Sequence, residues 1–237
     1  MSNKLRVLAP AALLLVLTGC TSSTAPPADH ATLTATLVDG DNVNLAWHNT
    51  GPAPAGDVVE YSNSATGDYT PLDFLPPTQT TYAHDKLIPN TAFYYKIVPY
   101  FGPTTNAVTV DLPPGAYDDN AANADTWATP ATVPGPTPHA SVHSAAGAPT
   151  DLKATVEDAN GVKLTWTDND TDAAGYFVEI QAQGSKDFQV VQVLNPKINT
   201  AGVITLPDEK HATIRIRAVY YGTPTNTAMQ HTAADAG

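Results

Sequence analysis

The sequence predicts an all-β protein built from two β-sandwiches in tandem, and three observations lead to this prediction. Residues 162–166 (VKLTW) and 176–180 (YFVEI) carry the period-two alternation of half-buried strands, with Tyr176, Val178 and Ile180 on one face. Matching blocks of residues recur about 120 positions apart. The 237 residues are 42% hydrophobic but only 14% charged, which favours short strands and turns over amphipathic helices.

The first 19 residues predict a secretory signal peptide. Lys4 and Arg6 precede an apolar run at residues 7–17, which is too short to span a membrane as a helix. Residues 17–20 (LTGC) resemble the bacterial lipobox, and the resemblance implies cleavage before Cys20 and lipidation of Cys20, including palmitate. The alternative is an ordinary cleaved signal followed by an incidental cysteine.

Lipidation of Cys20 would anchor the chain in a bacterial cell envelope through several acyl chains. Thr21 follows the cysteine where an aspartate would signal inner-membrane retention, so the resemblance implies the outer membrane or the cell surface. Cys20 is the only cysteine, so an intramolecular disulfide is impossible. Residues 20–29 are rich in Ser, Thr and Pro and predict a disordered tether.

The repeated blocks predict two domains, at residues 30–133 and 148–237, joined by a Pro/Ala-rich linker at residues 134–147. Trp47, at the end of one alternating run, recurs as Trp166, 119 positions on. Residues 100–106 (YFGPTTN) recur as residues 220–226 (YYGTPTN), 120 positions on. Two blocks at nearly one offset indicate a tandem duplication.

Residues 164–181 (LTWTDNDTDAAGYFVEIQ) resemble strands B and C of bacterial fibronectin type III domains, which are immunoglobulin-like sandwiches. Residues 188–193 and 214–219 resemble later strands of that domain, and the resemblance covers about residues 148–232. In the first copy, whose resemblance is weaker, residues 87–97 resemble a turn of that domain and the strand after the turn.

The last strand of the first domain has two candidate positions. An exact repeat places it at residues 106–112, whereas a long hairpin would place it at residues 124–129. Trp127 is expected to pack against the first domain rather than to form a binding platform.

The acidic loop after Trp166 offers one candidate metal site. Asp168, Asp170, Asp172 and Glu179 fall at positions 1, 3, 5 and 12 of a calcium-loop count. Ala173 replaces the glycine expected at position 6, and Glu179 falls in a predicted strand. We therefore favour a solvated turn and expect no metal ion.

No catalytic motif is present, since the chain lacks both a G-x-S-x-G nucleophile elbow and a phosphate-binding glycine loop. The formal charge of −12 becomes −14 once Lys4 and Arg6 are removed with the signal, and it disfavours nucleic acid partners. We expect a non-enzymatic protein without cofactors, used in binding, adhesion or assembly with a partner protein or with itself. The alternative is a carbohydrate-binding module that works beside a separate hydrolase.

Overall fold

The described part of the chain is mostly β-sheet, with one 3-10 helix at Pro207–Glu209 and a short helical stretch at residues 127–128. The computed structural model describes residues 32–115, 127–134 and 147–234, so Cys20, the predicted signal peptide, the tether and most of the predicted linker lie outside the described residues. The predicted fold class is confirmed. The strands, in chain order, are β1 Thr32–Asp39, β2 Asn42–His48, β3 Gly56–Ser62, β4 Thr70–Leu75, β5 Thr81–His84, β6 Ala92–Phe101, β7 Val108–Asp111, β8 Ala131–Thr132, β9 Thr150–Val156, β10 Gly161–Thr167, β11 Gly175–Ala182, β12 Gln189–Leu194, β13 Ile198–Ile204, β14 His211–Tyr221 and β15 Ala228–His231.

The first sandwich packs the sheet β1-β2-β5 against a sheet that contains β4-β3-β6. Alternation decides which side chains enter its core, because Val43, Leu45 and Trp47 are buried while the residues between them are exposed. From the opposing sheet, Tyr95 and Ile97 of β6 are completely buried in the same core.

The second sandwich repeats this plan with β9-β10-β13 packed against β12-β11-β14. Val162, Leu164 and Trp166 of β10 are its inward residues. The predicted shared face of Tyr176, Val178 and Ile180 is confirmed, since all three side chains enter this core. Phe177, between them, points to the other side of the sheet.

The last strand of each sandwich comes from the other half of the chain. Strand β7 pairs with β14 of the second sandwich, with Val108 opposite Ile214. Strand β15 returns to the first sandwich and pairs with β6, with Ala228 opposite Tyr95. Residues 106–112 therefore contain a strand, as an exact repeat predicts, but that strand does not close the first domain, because its hydrogen-bonding partner is β14. We call this arrangement the strand exchange. The described part of the other candidate position, residues 127–129, forms no strand.

The two segments that lead into the exchanged strands make the same contacts at equivalent places. Backbone N–H of Ile216 donates to Thr105 Oγ1 at 3.0 Å, and that of Ile97 donates to Thr225 Oγ1 at 3.0 Å. The side-chain amide of Asn106 bonds both the N–H and the C=O of Leu152 in β9. Asn226 does the same to Leu33 in β1. The recurring YYG/YFG…TN block is thus the block that crosses between sandwiches.

Gly102 is required where the first crossing segment leaves β6. Its φ of +130° is strained for any side chain, and a Cβ there would lie 1.8 Å from the carbonyl oxygen of Ala218. The Gly102 carbonyl also accepts a hydrogen bond from Arg217 Nη1 at 2.6 Å. The crossing is therefore fixed by close backbone contact as well as by strand pairing.

The two sandwiches also share one continuous sheet. The ends of β6 and β14 pair directly, with Tyr220 opposite Phe101 and Tyr221 opposite Tyr100. This pairing joins eight strands, six of them in the order β12-β11-β14-β6-β3-β4, with β15 beside β6 and β7 beside β14. The outer faces of the two joined sheets then pack on each other around Phe177, whose ring lies 5.0 Å from that of Tyr100 and 5.1 Å from that of Phe74. A third apolar core therefore lies between the sandwiches.

Among the described residues, none belongs to a helix with the length and apolar character that crossing a bilayer requires.

Candidate functional site

The carboxylates of the acidic loop between β10 and β11 are bonded by the loop's own backbone and by side chains of neighbouring elements. Asp168 accepts hydrogen bonds from the Tyr176 hydroxyl and from the backbone N–H of Asp170, and it lies 3.3 Å from Lys197 Nζ. Asp170 accepts the backbone N–H groups of Asp172 and Ala173 at 2.8 and 2.7 Å. These are the bonds of a tight Asx turn.

A buried hydroxyl completes this network from the neighbouring strand. Tyr220 of β14 donates to Asp170, and its oxygen lies 3.1 Å from Asp172. Burial and the neighbouring carboxylates raise the pKa of Tyr220, so the hydroxyl stays protonated and remains a donor. Among residues 32–115, 127–134 and 147–234, no three His, Cys, Asp or Glu side chains are arranged to hold a metal ion.

Glu179, the last residue of the calcium-loop count, is engaged elsewhere. Its carboxylate is 2% exposed and accepts hydrogen bonds from Arg215 Nε at 2.5 Å and from Arg217 Nε at 2.6 Å. Arg215 also lies over the ring of Phe188 at 3.7 Å. Because Arg217 reaches the Gly102 carbonyl as well, this buried ion pair ties the second sandwich to the first crossing segment.

An open groove of the described chain lies on the first sandwich, beside the edge of β5 that no described strand pairs. It has a volume of about 690 Å³. Its floor is formed by small or polar exposed side chains of β1, β2 and β5, and its wall by the segment from β4 to β5. We call it the β5 groove; its floor residues are Thr36, Asn44, Ala46, Thr81 and Ala83, its wall residues are Asp73 and Gln79, and Leu45 and Tyr82 also line it.

The second sandwich is covered in part at the equivalent place, since β8 pairs with residues 198–200 while a groove of about 280 Å³ stays open beside residues 202–204. Strand β13, the counterpart of β5, pairs on its outer edge with β8, where Ala131 lies opposite Thr200. The backbone N–H of Val133 extends this contact by donating to Lys197 O at 2.6 Å. The duplicated halves thus differ at the start of this edge, where β13 pairs with the two-residue strand β8 and β5 pairs with no described strand.

Trp127 precedes this covering strand and lies on the second sandwich. A Cβ placed on Gly161 would lie 2.5 Å from the indole, and a Cβ placed on Gly202 would lie 2.6 Å from it. The expectation that Trp127 packs against the first domain is therefore wrong. The glycines of β10 and β13 leave room for the ring only on the second copy.

Aromatic side chains do not form an exposed platform in the described parts of the chain, where every Phe, Tyr and Trp is at least half-buried. Tyr95, Tyr100 and Tyr220 are core residues. The β5 groove was missed because small and polar residues in a strand give no local sign of an open edge. A comparison of the two repeats carries the one available signal, since Ala83 stands where Gly202 accommodates the indole.

No protein-family description matches the chain, and no curated protein is significantly similar to it. Among solved structures, the chain is similar to a two-domain fibronectin type III segment of chicken tenascin, with 14% identity over 86% of this chain and 100% of that one, at a TM-score of 0.26. It is also similar to the FN1–FN3 domains of chicken CNTN1, with 13% identity over 88% of this chain and 68% of that one, at a TM-score of 0.26. Similarity of this degree does not extend to function.

Proposed function

We propose that the chain is a non-enzymatic, lipid-anchored protein of the bacterial cell envelope that serves as a binding, adhesion or assembly module. The observation that supports this proposal is the β5 groove of about 690 Å³, beside a strand edge that no described strand pairs, whereas the duplicate edge is partly covered by β8 and keeps a smaller groove of about 280 Å³. Unpaired edges of this kind accept strands from other chains. The lipid on Cys20 would hold the module at the outer membrane or the cell surface.

The anchor is tested separately from the binding role. We expect the wild-type chain to fractionate with membranes and to incorporate radiolabelled palmitate, and Cys20→Ser to appear in the soluble fraction without label. A wild-type chain that is cleaved, soluble and unlabelled would show that residues 1–19 are an ordinary signal peptide.

The binding role is tested by co-purification. The chain is tagged after Gly237, extracted from native membranes in mild detergent, and the proteins that accompany it are identified by mass spectrometry. We expect a stoichiometric partner protein that is absent from a matched purification of an unrelated lipoprotein with the same tag. A chain that emerges alone and monomeric contradicts assembly.

The second candidate function is carbohydrate binding beside a separate hydrolase. The amide and carboxylate side chains of Asn44, Asp73 and Gln79 in the β5 groove favour it, because such groups bond sugar hydroxyls. The state of the aromatic side chains disfavours it, since every described one is half-buried or buried and only Tyr82 lines the groove. Retention on a glycan array, lost in Asn44→Ala, would establish this function instead.

A further inference from the structure

The free edge of β5 corresponds to the edge of β13 that pairs with β8 in the second sandwich. Thr81 of β5 is the counterpart of Thr200 of β13, which lies opposite Ala131 of β8. Two positions later each strand has a small, outward-facing residue, Ala83 in β5 and Gly202 in β13. The carbonyl of Thr81 accepts a hydrogen bond from the side-chain amide of Gln79 at 3.3 Å. A backbone N–H of an incoming strand would replace that amide, because the amide is an exposed local donor.

We propose that the β5 groove binds an extended, basic peptide segment of a partner protein, which adds to the sheet as a fourth strand beside β5 and places a Lys or Arg against Asp73. This inference rests on the proposed binding function and names its surface and partner class. Strand addition supplies affinity through backbone bonds, and the pockets beside the edge supply specificity.

Charge favours a basic partner over a second copy of the chain. Asp73 is the one charged residue among those that line the groove, it forms no ion pair in the described chain, and its counterpart in the covered sandwich is the neutral Gln192. A second copy paired edge to edge would bring two Asp73 carboxylates into one interface on a chain with a formal charge of −12. Like charges at an interface suppress association, whereas a cationic partner gains from the same field.

Shape excludes a copy of the segment that covers the second sandwich. Trp127 fits there because Gly161 and Gly202 carry no side chain under the indole. The first sandwich has Asn42 and Ala83 at these positions, so an indole cannot lie at the same depth. The partner strand therefore presents a small side chain to Ala83.

The test titrates the mature chain carrying Cys20→Ser, uniformly labelled with ¹⁵N, with two synthetic nonapeptides of matched length, the basic TAKTAKATV and the acidic TAETAEATV. We expect the basic peptide to shift the amide signals of Thr81, Tyr82, Ala83 and Asn44, and the acidic peptide to leave them unchanged. Asp73→Asn is expected to weaken binding of the basic peptide about threefold to fivefold, as loss of one exposed ion pair does.

Two further variants locate the surface. Ala83→Arg fills the groove floor and is expected to abolish the shifts, while Val193→Arg, on the exposed face of β12, is expected to leave them unchanged. Equal binding of both peptides, shifts confined to the second sandwich, or binding retained in Ala83→Arg would each overturn the inference.

The co-purification separates this inference from the proposed function. A partner protein recovered equally with wild type and with Ala83→Arg leaves the binding function standing and removes the β5 groove as its surface. Recovery with wild type but not with Ala83→Arg supports both. If no partner protein is recovered and neither peptide binds, both the proposed binding function and this inference are contradicted.

Discussion

At the scale of single residues, His84 couples the stability of the first sandwich to pH. Its ring lies edge-on to Tyr61 and Tyr95 at 5.5 and 5.8 Å, and its Nδ1 lies 3.1 Å from the Tyr95 hydroxyl. Burial lowers the pKa of this imidazole, and the charge of Asp85 offsets only part of that effect. The unfolded chain therefore binds a proton that the folded chain excludes.

We expect the folded state to lose stability as pH falls from about 7.5 to about 5.5, through the histidine pKa of about 6.5 in the unfolded chain. Urea midpoints measured at both ends of this range will show the loss in wild type and a smaller loss in His84→Phe. His48→Phe, at an exposed position of β2, serves as the control and should keep the wild-type dependence. An unchanged pH dependence in His84→Phe would assign the effect to other groups.

The ion pair of Glu179 with Arg217 presents a second residue-scale prediction. Both side chains are buried, at 2% and 7% exposure, so removal of one charge leaves the other without its partner in a poorly solvated place. We expect Glu179→Gln to lower the free energy of unfolding by about 3–5 kcal/mol, measured by urea denaturation.

The matched control removes both charges. Glu179→Leu combined with Arg217→Leu should cost less than Glu179→Gln alone, because no unpaired charge remains between these two residues. A double variant that is less stable than the single one would show that the contact of Arg217 with the Gly102 carbonyl outweighs the charge balance.

At the scale of elements, the strand exchange leads to a prediction that differs from the one expected for two contiguous domains. Asn106 bonds β9 of the second sandwich although it follows β6 of the first, and Asn226 bonds β1. Each substitution to alanine leaves partly buried backbone groups unpaired, at a cost of about 1–3 kcal/mol. We expect hydrogen exchange to accelerate in β9 for Asn106→Ala and in β1 for Asn226→Ala. Faster exchange in the half of the chain that carries the substitution would contradict the strand exchange.

The individual strands could be predicted from sequence, because burial of one face imposes period-two alternation on each of them. The predicted runs at residues 162–166 and 176–180 fall inside β10 and β11, and residues 188–193 overlap β12. The partner of β7 could not be predicted in this way. Alternation predicts that a strand is present, but it does not predict which of two similar strands is its partner. The duplicated strands β6 and β14 have nearly the same edge.

The candidate site also contains one part that the sequence predicts and one part that it does not. The acidic loop is a turn, as expected, since Asx side chains bond their own backbone. The expectation that it is solvated is wrong, because the side chain of Asp168 is buried and Asp170 is 2% exposed. The β5 groove depends on the absence of a neighbouring strand, and the residues of β5 taken alone do not predict that absence. The difference appears in the registers of β5 and β13, which are equivalent while their outer edges are not.

At the scale of the whole molecule, three sets of contacts join the two sandwiches: the exchanged strands, the β6–β14 pairing and the shared core around Phe177. We expect a single unfolding transition in calorimetry, with equal calorimetric and van't Hoff enthalpies. Leu164→Ala, in the core of the second sandwich, should cost about 2–5 kcal/mol and lower the melting temperature of both sandwiches together. Two separated transitions in this variant would show that the sandwiches unfold independently.

The strand exchange also sets an order in time. β15 is synthesised after every other described strand, so the first sandwich, although its other strands are made first, stays open at β6 until the end of the chain has emerged. The second sandwich receives β7 before its own strands are made and closes as soon as β14 appears. A chain cut short by premature termination would therefore keep an exposed edge on its oldest part, where proteases and chaperones recognise unfinished molecules.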